Sequence, residues 1–118
     1  MKVTIWHNPR CSKSREALKI LQEYNVEAEI FKYLDEQPSK EEIKDILNRL
    51  GYESPRDLMR TKEAIYKELN LKEVEDSEQL LEAMEQNPRL IERPILIKED
   101  GKAIVGRPTE IVAEFIAK

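Results

Sequence analysis

The sequence predicts an α/β fold: a mixed four-stranded sheet with helices on it and a helical insertion over residues of about 35–89. Three observations carry that prediction. An apolar run at residues 3–6, an amphipathic stretch at 12–24 and a second apolar run at 28–33 give the order strand, helix, strand. Two strands joined through a helix need a crossover, which makes them parallel. Towards the other end, residues 94–97 and 103–105 are β-rich and flank Glu99-Asp100-Gly101, a hairpin signal, so this pair is antiparallel. Between these halves the apolar residues recur only at helical spacing.

Each element follows from its residues. The first helix puts Ala17, Leu18, Leu21 and Tyr24 on one face. Alternation across Ile30, Phe31 and Tyr33 marks the second strand, and the Asp35-Glu36-Gln37-Pro38 segment turns the chain. Ser39 with Glu42 is a capping box. It opens a helix with Ile43, Ile46, Leu47 and Leu50 inward, which Gly51 stops. Ser54-Pro55 starts a short helix, and another covers residues 62–69. Ser77 is the expected cap of a helix with Leu80, Leu81 and Met84 inward, ended by Pro88. Pro108, at a first helical position, opens the last helix with Ile111, Val112, Phe115 and Ile116 on its face. The order βαβ, helices, ββα is thioredoxin-like in outline.

Composition narrows the function. A chain of 118 residues suits one domain, 1–118, with one core. Its net charge of −4 argues against a nucleic-acid binder, which needs a basic face. No apolar run approaches the ~20 residues of a membrane span, and the N-terminus has no signal-peptide pattern. A single cysteine without an export signal fits the reducing cytoplasm and excludes an internal disulfide. One cysteine and one histidine do not supply the three or four ligands of a zinc site without carboxylates, so no metal is expected.

That cysteine, Cys11, lies between the first strand and the first helix, in His7-Asn8-Pro9-Arg10-Cys11-Ser12-Lys13-Ser14-Arg15. A thiol there faces unpaired N–H groups and the positive end of the helix dipole, both of which favour thiolate. Arg10, Lys13 and Arg15 add charge for an anionic substrate. Cys11 to Ser14 is C-x-x-S, the one-thiol counterpart of C-x-x-C. The competing reading is a buried structural cysteine, but inert cysteines prefer apolar surroundings and this loop is basic. His7 has two readings: a partly charged imidazole near the sulfur that lowers its pKa, or a loop histidine bonded to backbone. Pro9 shapes the loop, and Asn8 has a side-chain donor for an oxyanion. Arg60, Arg93 and Arg107 each stand in loop-like contexts. Singly, each reads as a surface arginine; together with Cys11 they form a candidate anion cage with paired planar donors. Arg93-Pro94 stands where thioredoxin-like folds place a cis proline opposite the thiol.

At this point a resemblance becomes specific. His7 to Arg15, Tyr33-Leu34, Leu58-Met59-Arg60, Asn87-Pro88, Glu92-Arg93-Pro94-Ile95 and Gly106-Arg107-Pro108 resemble the glutaredoxin-dependent arsenate reductases of the ArsC family, nearest its YfgD-like branch. The match runs along essentially the whole chain in motif order. The resemblance implies a thioredoxin-like fold with a helical insertion and catalysis by Cys11 with help from His7. It also implies an oxyanion held by Arg60, Arg93 and Arg107, to which Asn8, Ser14 and Arg15 are added as candidate substrate contacts, with Pro94 as the structural cis proline. One departure stands out: better-known members carry Cys-Gly-Thr-Ser-Arg, and this chain carries Cys11-Ser12-Lys13-Ser14-Arg15.

The expected reaction is nucleophilic attack by Cys11 on arsenate. With no further cysteine in the chain, resolution needs an external thiol; the resemblance names glutathione as co-substrate and glutaredoxin as partner. No tightly bound cofactor is expected, and the chain is expected to act as a monomer. A phosphatase reading is disfavoured because Cys11 and Arg15 give C-x3-R, not the longer C-x5-R loop. The rival class is a regulatory protein of the Spx type that binds RNA polymerase and senses redox state, whose usual C-x-x-C switch Ser14 removes. A thiol reductase acting on another oxyanion is the remaining alternative.

Overall fold

In the computed structural model, which describes residues 1–117, the chain divides into two units. One comprises Met1–Glu36 and Arg93–Lys118, the other Gln37–Glu92.

The first unit holds the sheet. Strand β1 (Lys2–Trp6) leads to helix α1 (Ser12–Glu23), strand β2 (Glu27–Phe31) and a single helical turn, α2 (Tyr33–Glu36). β1 and β2 pair in parallel, with Val3 opposite Ala28 and Ile5 opposite Ile30. Strand β3 (Ile95–Lys98) pairs antiparallel with β1, and β4 (Ala103–Val105) antiparallel with β3. The sheet order is β2-β1-β3-β4, so the mixed four-stranded sheet is as expected. Its core joins Val3, Ile5 and Leu96 of the sheet to Ala17 and Leu21 of α1 and to Val112 and Ile116 of α6 (Glu110–Ala117). On the other side of β1, Trp6 stacks near Phe31 and Tyr33, with ring centroids 5.1 and 6.3 Å away.

Several expectations need correcting here. β2 ends at Phe31, and Tyr33 is the buried first residue of α2 instead of a strand residue. The turn expected from Asp35 is therefore partly helical. Tyr24, expected on the inward face of the first helix, is exposed, as is Ile30 of β2. Tyr24 is the C-cap of α1, where the helix ends before its next inward position. Pro108 precedes α6 by two residues instead of standing at its first position. In α6 the buried residues are Val112 and Ile116, with Ile111 and Phe115 only partly covered.

The second unit is helical. Helix α3 (Lys40–Leu50) opens on the expected capping box, in which Ser39 Oγ accepts from Glu42 N–H at 3.1 Å and Glu42 accepts from Ser39 N–H at 3.2 Å. It closes at Gly51, whose left-handed φ of 74° favours glycine. A 3-10 turn at Pro55–Leu58 follows, capped by Ser54. Helix α4 (Ala64–Glu68) is shorter than residues 62–69. Helix α5 (Ser77–Gln86) is capped by the side chain of Asp76, not by Ser77, which is its first helical residue. α3 packs on α5, burying Ile43, Ile46, Leu80 and Met84. No helix among the described residues is long and apolar enough to cross a membrane.

Candidate active site

The loop between β1 and α1 is held by its own polar groups. Cys11 N–H donates to Asn8 carbonyl at 3.0 Å, closing a tight turn around Pro9 and Arg10. Asn8 Oδ1 accepts from Arg10 N–H at 3.0 Å. Asn8 N–H in turn donates to the Oγ of fully buried Ser14 at 3.4 Å. Arg15 Nη1 reaches back to the carbonyl of Pro9 at 3.0 Å. Asn8, Ser14 and Arg15, expected at the anion, thus spend these groups on the shape of the loop.

Cys11 is the N-cap of α1, with extended backbone and no close capping hydrogen bond from its side chain. Its sulfur faces the first turn of the helix, whose N–H groups have no carbonyl partner within it. Burial raises the Cys11 pKa. The N–H of Ser14, the Arg93 side chain, the N–H of Lys13 and the charge of Arg93 oppose burial, and together they bring the thiol down to about 7 from an ordinary 9.0. A large thiolate fraction at neutral pH follows.

Two of the three expected arginines stand at the sulfur. The Arg93 side chain favours the thiolate by hydrogen bonding and by charge. Arg107 Nη2 lies 3.7 Å from Cys11 Sγ, and its Nε donates to the Arg93 carbonyl at 2.7 Å. Arg93 lies just before β3 and Arg107 just after β4, so the β3–β4 hairpin brings them together. The Arg93–Pro94 and Arg107–Pro108 peptides are both cis. Gly106 supports this corner: a Cβ there would stand 2.9 Å from Leu96 and 3.0 Å from Pro94. Arg60 belongs to the other unit, where it pairs with Glu63 at 3.3 Å and Glu92 at 3.8 Å.

His7 is buried, donates its backbone N–H to Phe31 carbonyl at 2.9 Å, and leaves its buried Nδ1 without a hydrogen-bond partner. Burial, then the charges of Lys32 and Arg15, lower its pKa. The imidazole is therefore neutral at pH 7, and the partly charged imidazole of the first sequence reading is not found. The cations and N–H groups named above hold the thiol low without it.

One polar link was not legible in the sequence. Thr109 Oγ1 donates to Glu16 Oε2 at 3.0 Å, and the same oxygen lies 3.6 Å from Lys13 Nζ. Among the described residues no cluster of histidine, cysteine and carboxylate side chains forms a metal site.

This constellation, a low-pKa cysteine at a helix N-terminus with guanidiniums from the β3–β4 hairpin, agrees with the comparisons to known proteins. The ArsC family pattern matches residues 6–115. The chain belongs to the ArsC family. It is 51% identical over 110 residues to an arsenate reductase of Neisseria meningitidis serogroup A, covering 92% of this chain and 93% of that protein. It is 50% identical over 116 residues to YfgD of Escherichia coli K12, covering 98% and 97%. The structure of an arsenate reductase from Vibrio cholerae superposes with a TM-score of 0.91 at 47% identity, covering 97% of each chain. The thioredoxin-like fold of this ArsC member is thus shared with its structural relatives.

Proposed function

We propose that this ArsC-family protein is an arsenate reductase that forms a covalent thiol–arsenate adduct at Cys11, resolved by glutathione and glutaredoxin. The observation that carries the reading is the sulfur itself: a thiol at about 7 with the Arg107 guanidinium 3.7 Å away. Such a pair combines a nucleophile with a donor for the anion it attacks.

In the first step the Cys11 thiolate attacks arsenic(V). An As–S bond forms, an As–O bond breaks, and the oxygen leaves as water after protonation. Arg93 and Arg107 neutralise the oxyanion. Glutathione then adds its sulfur to arsenic and displaces a second water. The glutaredoxin thiolate attacks that glutathione sulfur. The electron pair of the broken As–S bond stays on arsenic, which becomes arsenic(III), and the two attacking sulfurs leave as a mixed disulfide. Water finally frees arsenite from Cys11 and restores its thiol. The external thiols are required because this chain has one cysteine. A reaction that draws on such thiols fits a reducing cytoplasm.

The test is arsenite production coupled to NADPH through glutathione reductase. Turnover should need glutathione and glutaredoxin together and vanish in Cys11→Ser, whose hydroxyl is a far weaker nucleophile. Turnover that survives in Cys11→Ser, or with thioredoxin alone, defeats the mechanism.

A further inference from the structure

The segment that carries Arg107 is tied both to the hairpin and to α1. The residue is exposed, and a long exposed side chain samples many rotamers unless its backbone and head are held. The contacts of Arg107 include its N–H donating to Val105 carbonyl at 2.8 Å, its Nε donating to Arg93 carbonyl at 2.7 Å and its Nη2 at 3.7 Å from Cys11 Sγ. The first two lie on the hairpin side. On the α1 side, the strap formed by Arg107, Pro108 and Thr109 is tied by the Thr109 hydroxyl, donating to Glu16 Oε2 at 3.0 Å. Glu16 lies on α1, one turn beyond the first-turn N–H groups that face the sulfur. Lys13, from that first turn, approaches the same carboxylate oxygen at 3.6 Å.

We propose that the Thr109–Glu16 hydrogen bond is a clasp that fixes the Arg107 strap against the Cys11 loop, which makes Thr109 and Glu16 positioning residues for the thiolate. The clasp spans two separate stretches of the unit and joins the helix that presents the sulfur to the segment that presents its guanidinium. Lys13 pairs with the same carboxylate oxygen at 3.6 Å, so its charge is engaged by Glu16. The role of Lys13 in this chain is then in part to anchor the strap.

The test reads the thiol directly and does not depend on the arsenate reaction. Iodoacetamide alkylation of Cys11 is followed against pH. Thr109→Val removes the donor without changing charge. It should raise the midpoint by about half a pH unit, equivalent to roughly threefold slower alkylation below the midpoint. Thr109→Ser keeps the hydroxyl and should restore the wild-type profile. In an Arg107→Ala background Thr109→Val should have no further effect, because the clasp acts through Arg107. In a Glu16→Ala background it should likewise add nothing. Thr109→Ala repeats the test if valine crowds the start of α6, with thermal melting as the folding control. A wild-type midpoint in a folded Thr109→Val or Thr109→Ala protein overturns the clasp. So does a shift that persists undiminished after Arg107→Ala, which would mark a merely structural effect. If wild-type protein has no arsenate turnover, the proposed reaction fails while this result stands.

Discussion

In the unit of Met1–Glu36 and Arg93–Lys118, two guanidiniums serve one sulfur. In Gln37–Glu92, guanidiniums are spent on the protein itself. Arg56 donates to the Tyr66 hydroxyl and to the carbonyls of Leu71 and Val74, tying α4 to the chain beyond it. Arg60 pairs with Glu63 and Glu92. The residue type is the same; the competing acceptors differ. An arginine among carbonyls and carboxylates is part of the scaffold, or must give up a partner before it binds anything else. An arginine beside a thiolate already faces the charge that a substrate will replace.

The largest expected effect tests that contrast. Arg107→Ala should lower arsenate kcat/KM by roughly 10²- to 10³-fold, the loss typical of a donor aimed at developing charge. Arg60→Ala should stay within about tenfold of wild type, since that guanidinium is committed to Glu63 and Glu92. Calorimetry with arsenate and steady-state kinetics distinguish the two. Equal losses from Arg107→Ala and Arg60→Ala would erase the distinction between the units.

The next effect belongs to pH. The Cys11 thiol titrates at about 7 in the folded protein against an ordinary 9.0. Between those values the unfolded chain binds more protons, so stability rises with pH across the window and is lost as pH falls through about 7. The expected gain is of order 2–3 kcal/mol. Urea unfolding of wild type against Cys11→Ser, at about pH 6 and about pH 9, reads it. Identical pH dependence in the two proteins would mean that the thiolate is not stabilised by the fold.

Two smaller substitutions separate packing under the site from packing elsewhere. Gly106→Ala forces a methyl against Leu96, Pro94 and Val112 and should cost about 1–3 kcal/mol. It should also raise the Cys11 midpoint, because Arg107 is the next residue. Ser39→Ala removes the capping box of α3 and should cost about 1 kcal/mol while leaving the Cys11 midpoint where it is. Denaturant midpoints with the alkylation profile test both. A midpoint shift in Ser39→Ala would show that the helical unit tunes the thiol after all.

What the sequence determined by itself was local. The strand–loop–helix order around Cys11, the capping box of Ser39 and Glu42, the left-handed stop at Gly51 and the hairpin at Gly101 each follow from a few adjacent residues. So does the proximity of Cys11 to unpaired helix N–H groups, because the N-terminus of a helix has them wherever it lies. Tertiary structure decided the rest. Tyr33 lies in a helical turn because β2 ends its pairing with β1 at Phe31. Asp76 displaced Ser77 as a cap because both residue types fit that role and one position set the helix start. Arg93 and Arg107 converge on Cys11 because strand pairing places the ends of β3 and β4 there, and Thr109 meets Glu16 across a separation of 93 residues. His7 is neutral because it is buried among cations, a property of its surroundings. Local hydrogen bonding and period are written in short stretches of chain; which charge faces which sulfur depends on contacts between distant stretches that only the folded sheet creates.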